Sequence, residues 1–482
     1  MADSILDNFI HECEDPTSYP TRLRLTHLLP YALKRYEELL NEEAPRIFSK
    51  EPDDWIIRFW DSCNNGDKYR FAYDDCTSLQ EIQDYLWVEN KEDPVCRHVF
   101  IEASHSLAPL DCSREMLTSL FYYHQVMPRF LDIVLSFGAL RGLQRCIFEY
   151  EDLTWPCAIG SSIPQVNGRS GNEIRYCYNL WSVEKSDHDK CPWAIRQAGL
   201  YHSIDTDSKN STWIYVKTND VLRERIQEAT ISANYDKLDD QEISGGFVTH
   251  LVVFEWCKEN WSPYLTHLEC GLLEILTKLQ EAPVNQAAAA LQKADSNNAD
   301  SFQPAPELVP SARLGYQQMH SNLTRTTMKA ASSEGDYLPR ISERASPSGQ
   351  INPVEVFDEF KFGDLQHLHI LHNKLKEADM ILNLNSDIMM EVVKFYQSYL
   401  KNYSTDADFQ DDYVDALSRF TQRTNKIVAE LQRERKRIAT LVSLLKSGKS
   451  LFDAIVKFKN AELSRFSSRV ESLAEEMQQS EL

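Results

Sequence analysis

The chain has 482 residues, of which 42% are hydrophobic and 26% are charged. This composition is close to that of soluble globular proteins and argues against wholesale disorder and against a polytopic membrane protein. Acidic residues outnumber basic ones by 73 to 51, and the resulting net charge of −22 repels phosphate backbones, so we expect no nucleic-acid partner.

Helical and strand patterns alternate in the first part of the chain. Apolar residues three and four positions apart predict helices over residues 22–43 and 113–136. Segments rich in aromatic and β-branched residues are predicted as strands at 69–73, 98–102, 146–150, 174–183, 199–204, 212–217 and 249–256.

The alternation along residues 174–180 is typical of a half-buried strand, and the polar residues 205–210 predict a hairpin turn between two strands. Together these patterns predict an α/β domain over residues 1–282 with a mixed, largely antiparallel sheet.

The composition changes near Pro283 to a stretch rich in Ala, Gln, Ser, Asn and Pro. Few large hydrophobic residues occur there, so the segment cannot bury enough apolar area to offset its ordering entropy. We therefore predict a disordered linker over residues 283–352.

Long helical patterns follow the linker, over residues 353–482. Mostly apolar positions step by three and four along residues 365–400 and again along residues 413–477, with a polar turn at 402–412. A helix from about 409 to 478 would be on the order of 100 Å long. Its apolar stripe fits either packing within one helical hairpin or oligomerisation. The whole fold is thus predicted as α+β with a long helical hairpin or stalk.

The eleven cysteines are scattered and never form a C-x-x-C pair, so neither a disulfide framework nor a zinc knuckle is indicated. The N-terminus is acidic where a signal peptide would be basic, and no apolar stretch approaches the ~20 residues of a membrane span. We expect a cytoplasmic protein.

Candidate chemical motifs are weak. The segment 447–450 (SGKS) lacks the preceding strand and glycine of a phosphate-binding loop. Among His367, His369 and His372 only the last two could share an ion on one helix face. Residues 205–210 begin like a calcium loop but lack its glycine and closing glutamate.

Acidic groups could bind hard cations weakly at subunit contacts, although such pairs are usually solvated. These groups are 74–75, 239–240 and the aspartates at 408, 411 and 412. Nucleophile, zinc-protease and dinucleotide motifs are absent from the sequence. The sequence therefore assigns no catalytic, cofactor-binding or metal-ligating residue, and we expect no enzymatic activity.

Several phrases, in one order along the chain, resemble fungal proteins that carry a CorA-like transporter domain. They are 123–128 (YHQVMP), 130–132 (FLD), 136–138 (SFG), 192–197 (PWAIRQ), 201–203 (YHS) and 441–451 (LVSLLKSGKSL). The resemblance implies an intracellular α/β domain, a helical stalk, and two membrane helices whose Gly-Met-Asn loop forms the mouth of a magnesium pore, normally in a pentamer. Because the sequence ends at Leu482 without these last features, we expect that the chain does not conduct ions alone.

Two functions remain open. The first is a soluble CorA-like cytosolic domain that is regulatory or self-associating. It would form a homo-oligomer through its helices, a pentamer by the resemblance, or pair with a full-length transporter paralogue, with Mg²⁺ as the implied ligand. The alternative is a cytosolic interaction scaffold that uses the helical hairpin without any metal role.

Overall fold

A computed structural model describes residues 9, 11–13, 15–64, 69–87, 93–104, 108–137, 147–153, 169–186, 192–232, 242–281, 362–403 and 407–480. The chain divides into two units, residues 1–272 with 369–446, and residues 273–368 with 447–482. The linker predicted at 283–352 lies outside the described residues, and the predicted domain boundaries stay a prediction.

The first unit contains a seven-stranded sheet. Its strands are β1 (Ile57–Asn64), β2 (Tyr69–Cys76), β3 (Cys96–Ile101), β4 (Phe148–Asp152), β5 (Glu173–Lys185), β6 (Trp193–Asp205) and β7 (Ser211–Val216). Their order is β2-β1-β3-β7-β6-β5-β4. Only the β3–β7 pair is parallel. The prediction of a mixed, largely antiparallel sheet within an α+β fold is confirmed.

Among the described residues, one α-helix precedes the strands of this sheet along the chain, three lie between strands, and five follow the last strand. They are α1 (Pro30–Ile47), α2 (Leu79–Leu86), α3 (Arg114–Tyr123), α4 (Phe130–Val134), α5 (Asp220–Ser232), α6 (Glu242–Lys258), α7 (Trp261–Glu281), α8 (Phe362–Tyr403) and α9 (Ala407–Ser480). Residues of α7, α8 and α9 contribute to both units. The two long helices predicted after the linker are confirmed, and the turn predicted at 402–412 is shorter because α9 already begins at residue 407.

The first two predicted helices have different bounds in the structure. Helix α1 starts at Pro30, where the fixed φ of proline suits the first helical position, and not at residue 22. The helix predicted at 113–136 is two helices. Ser113 caps the first through its side chain, and Gln125, with a φ of 49°, leaves the helical region between them.

One strand prediction was wrong, and one strand was missed. Residues 249–256 lie in helix α6, whose apolar run carries β-branched and aromatic residues that suggest a strand. The helix is buried on several sides, so its sequence lacks an amphipathic period. Strand β1 was not predicted, because its apolar residues alternate with Arg58 and Asp61, and these find partners only in the folded sheet.

Helices cover both faces of the sheet in the first unit. One face packs against α1 to α4 around residues such as Phe59, Ile214 and Leu120. On the other face of β5, Tyr176 contacts Phe395 of α8, with ring centroids 4.8 Å apart. Residues 173–183 of β5 are all buried, so the prediction of a half-buried strand there was wrong.

The hairpin predicted at residues 205–210 is confirmed, since β6 and β7 pair antiparallel around it. Asp205 holds the turn, because its carboxylate accepts hydrogen bonds from the backbone N–H groups of Asp207 and Ser208. This is the local bonding that favours aspartate in turns.

The second unit contains the end of α7 and the last part of α9. Gly448 faces Leu276, and a β-carbon built at residue 448 would meet the Leu276 side chain. The segment 447–450 is therefore continuous helix at a close helix contact. Phe452 and Ile455 are buried.

Candidate functional site where the sheet meets the long helices

A cluster of tyrosine and histidine side chains joins the sheet to two helices in the first unit. The period of two on β5 places Tyr176 and Tyr178 on one face, and His202 lies opposite Tyr176 on β6. His250 comes from α6 and Tyr396 from α8. All five side chains are at most 2% exposed.

The hydroxyl of Tyr176 is the centre of this cluster. It hydrogen-bonds with His202 Nδ1 at 2.5 Å, His250 Nε2 at 2.7 Å and Tyr396 Oη at 2.5 Å. The other ring nitrogen of His250 hydrogen-bonds with Tyr178 Oη at 2.7 Å. A neutral imidazole has one donor and one acceptor nitrogen, so His250 can bridge the two tyrosines.

Burial keeps this cluster neutral. It lowers the pKa of His250 to about 3, and it lowers that of His202 well below its ordinary value, with a further contribution from His250 and His98. Burial also raises the pKa of the Tyr176 hydroxyl well above its ordinary value, with Tyr396 adding to the shift. At neutral pH the cluster therefore holds the two helices to the sheet through uncharged hydrogen bonds.

Asn385 of α8 makes a second link to the sheet. Strand β4 pairs with β5 only as far as Tyr178, and no other described strand pairs with the following part of β5 on that side. The Asn385 side chain accepts a hydrogen bond from Trp181 N at 3.1 Å and donates one to Trp181 O at 2.8 Å. Since Asn385 is fully buried, its amide takes the place of a strand along this edge.

Long side chains hold α9 against its neighbours in the same unit. Arg435 donates to Asp379 Oδ1 of α8 at 2.9 Å and to Asn383 Oδ1 at 2.6 Å. Arg437 donates to Glu269 Oε2 of α7 at 2.6 Å. The chain therefore fixes the sheet, α7, α8 and α9 to one another with specific polar contacts.

A charged network occupies the opposite face of the sheet. Arg97 pairs with Asp61 at 2.7 Å, and Arg169 pairs with Asp93 at 2.6 Å. Burial alone would raise the pKa of Asp93, but the guanidinium groups of Arg169 and Arg97 hold it at about 2. Burial, together with the same two arginines, lowers the pKa of His124 well below its ordinary value.

Arg97, Arg169, Asp93 and His124 are among the residues that line a cavity of about 20 Å³, which is room for one water molecule. Charged groups are seldom this deeply buried unless they are paired, and here each is paired. The network therefore fixes the loops at residues 93 and 169 to the sheet.

Where the structure describes them, the weak motifs of the sequence do not assemble into a site. His367, His369 and His372 all lie in α8, Asp75 pairs with Arg58, and the acidic pair 239–240 lies outside the described residues. Side chains at 408, 411 and 412 also lie outside the description. Within the described part of the chain, no three His, Cys, Asp or Glu side chains are grouped so that they could hold a metal ion.

The tyrosine–histidine cluster and the Asn385 link together form the junction between the sheet and the helices α6 and α8. Sequence reasoning missed the residues of this junction. The sequence pattern placed His250 in a strand. Asn385 was not identified, because it lies next to the apolar stripe of α8 and not in it. The signal that could have found Asn385 is a polar residue next to Ser386 in an otherwise apolar helix face, which indicates a specific buried partner. In the ranges that the structure describes, no helix is both long and apolar enough to cross a bilayer.

Comparison with known families places the sheet region in one of them. A model of the family described as CorA-like transporters matches residues 11–280, which is more than half of the chain. No curated protein matches this chain. The matched region includes the whole sheet and confirms the resemblance inferred from the sequence.

Proposed function

Because the chain belongs to the family of CorA-like transporters, we propose that it is a regulatory, non-enzymatic component of a divalent-cation transport system, located in the cytoplasm. Magnesium is the ion that the family resemblance implies. The observation that carries the proposal is the buried junction of Tyr176, His250 and Tyr396, which fixes α8 to the sheet.

The junction suits a coupling role. The cluster and the Asn385 link both lie along α8, at residues 385 and 396, so a shift of β5 would move this helix as a rigid element. Arg435 would pass the movement on to α9 through Asp379. A domain that senses a cation and transmits its state through a stalk requires such rigid attachment.

We further propose that the chain self-associates through the last part of α9. Val456 and Val470 are 40% and 48% exposed, and they are two heptads apart, so they share one helix face. The sequence continues the same heptad positions at Leu463 and Met477. Exposed apolar side chains that recur on one helix face are typical of helices that bind a second helix.

The test measures the mass of the full chain by light scattering across micromolar concentrations. Val456→Asp combined with Val470→Asp should reduce an oligomer toward the monomer mass of 55.7 kDa, because the two charges would be buried in the interface. Ser467→Asp is the control, since residue 467 is exposed on the same helix and lies outside the heptad positions of Val456 and Val470. A wild-type chain that is strictly monomeric would refute self-association.

Magnesium titration tests the cation role separately. A ligand that binds the native state raises the melting temperature by mass action, by an amount set by its concentration relative to its Kd. A rise with MgCl₂ that NaCl of equal ionic strength does not produce supports the regulatory proposal. Indifference to magnesium would favour the scaffold alternative.

A further inference from the structure

Strand β2 lies at one end of the sheet order, so among the described strands it pairs only with β1. Four successive residues of this strand, 72–75, are exposed. The exposure of this run shows that solvent reaches this side of the sheet. An edge strand of this kind presents backbone groups that can pair with a strand of another chain.

Hydrogen bonds elsewhere in the sheet fix which backbone groups of β2 point to the open edge. Lys217 N, directly after β7, donates to Ile101 O at 2.8 Å, so the odd-numbered residues of β3 bond toward β7. Backbone groups alternate in direction along a strand, so the even-numbered residues of β3 face β1, where their partners are also even-numbered. The same alternation across the β1–β2 register turns residues 69, 71, 73 and 75 of β2 outward.

Strand β2 lacks the features that usually keep an edge strand from pairing. Its eight residues include no proline or lysine, and it pairs with β1 at every position without a bulge. The opposite edge, β4, is shorter and more acidic. A two-fold pairing of β4 about Tyr150 would place Glu149 opposite Glu151, and like charges at such positions destabilise a strand pair.

One antiparallel register with a second copy of β2 brings complementary residues together. With the two-fold axis at Ala72, Tyr73 lies opposite Phe71 of the second copy, and such aromatic pairs stabilise a sheet. Asp74 lies opposite position 70, which is arginine in the sequence, so the two strands are complementary in charge. An axis at Asp74 would instead place this aspartate against its own copy.

We propose that two copies of this chain pair through their β2 edges, antiparallel about a two-fold axis at Ala72, and so join their sheets into one continuous sheet. The four outward residues of each strand then form about eight backbone hydrogen bonds, two for each opposed pair. The interface is self-complementary, as a two-fold dimer requires. It uses the first unit alone and is separate from the contact proposed for the last part of α9.

Disulfide trapping of the full chain tests this register. At the axis the two Ala72 residues form a pair without hydrogen bonds, with Cα atoms about 4.5 Å apart, which a disulfide can span. Under mild oxidation, Ala72→Cys should therefore give a covalent dimer of twice the 55.7 kDa chain mass on a non-reducing gel. The unsubstituted chain gives the baseline for native cysteines such as the exposed Cys270.

Asp74→Cys is the matched control, because residue 74 is exposed on the same face of the same strand. In the proposed register the two copies of residue 74 are more than about 7 Å apart, so a disulfide cannot join them. Ala72→Cys should form covalent dimer about fivefold or more faster than Asp74→Cys. Repeating both in chains that carry Val456→Asp and Val470→Asp makes the result independent of association through α9.

Tyr73→Pro, added to Ala72→Cys, removes an outward N–H and leaves the bonds to β1 in place. It should lower the yield of covalent dimer by about fivefold or more, because proline on an edge strand prevents pairing there. Tyr150→Pro is its control on the β4 edge. Circular dichroism checks the fold, and if Tyr73→Pro does not fold, the two cysteine variants decide alone. The proposal is overturned if Ala72→Cys gives no more covalent dimer than Asp74→Cys, or if a folded Tyr73→Pro variant is trapped as fully as Tyr150→Pro.

Discussion

Replacing Asn385 by leucine tests the attachment of α8 to the sheet. Leucine is close to asparagine in size and suits a helix, so the change removes the amide and adds little strain. The Trp181 N–H loses its acceptor in Asn385, and Trp181 O loses the donor Nδ2. Trp181 O keeps the bond that it accepts from Cys257 Sγ at 3.3 Å.

The magnitude follows from these two backbone groups. Leaving the buried Trp181 N–H without an acceptor costs about 1 to 3 kcal/mol, and weakening the bonding of Trp181 O adds about 0.5 to 1.5 kcal/mol. We therefore expect Asn385→Leu to lower the free energy of unfolding of the first unit by about 2 to 4 kcal/mol.

Native-state hydrogen exchange measures this loss of stability locally, at individual backbone amides. A local measurement is needed because a chain of two units need not unfold in one step. Amides of β5 and α8 should lose protection together. Asn383→Ala is the control on the same helix: Asn383 is partly exposed and accepts from Arg435, so its loss should cost less than about 1 kcal/mol. Equal effects of the two substitutions would contradict the assignment of Asn385 as an edge partner.

Two further predictions concern the core of the first unit. Because the folded pKa of His250 is about 3, below the unfolded value of 6.5, its stabilising effect is present above pH 6.5 and declines as the pH falls. By pH 5 the cost is about 2 kcal/mol for this residue, measurable by urea unfolding at pH 8 and pH 5. Gly199→Ala should cost about 1 to 3 kcal/mol, since the new β-carbon would lie 2.6 Å from Ile133 Cγ2. Thermal unfolding of Gly199→Ala, of Ile133→Ala and of the variant with both changes checks this cost.

Each of these predictions has its own control. His250→Gln should flatten the dependence of stability on pH below 6.5, and an unchanged slope would show that other groups dominate. For Gly199→Ala, the control is Ile133→Ala, which removes the Cγ2 atom that the new β-carbon would meet. The variant with both changes should therefore be more stable than the sum of the two single losses implies. Strict additivity would mean that the close approach of Gly199 and Ile133 is unimportant.

Periodicity identified most strands and both long helices, because their apolar residues recur every second position in strands and at steps of three and four in helices. The prediction failed in α6 and in β1. Residues 249–256 are mostly apolar and lie on several sides of α6, so no helical period distinguishes them from a buried strand. In β1 the polar residue Asp61 obscured the pattern, although Arg97 pairs with it in the folded sheet.

The junction was harder to predict, because its residues come from four separated segments. Tyr176 and Tyr396 are 220 positions apart, and only the fold brings their hydroxyls to 2.5 Å. The pKa of His250 likewise depends on burial by elements that its own helix does not contain. No local pattern carries such information.

The sequence by itself determined the acidic balance, the alternation of helices and strands, the long helices after residue 353 and the family resemblance, since each depends on composition or on neighbours a few positions apart. The tertiary structure alone decided that both faces of β5 are buried and that Asn385 completes a strand edge. The physical reason is that hydrogen-bond satisfaction and burial are properties of packed neighbours, and these neighbours are distant in the chain.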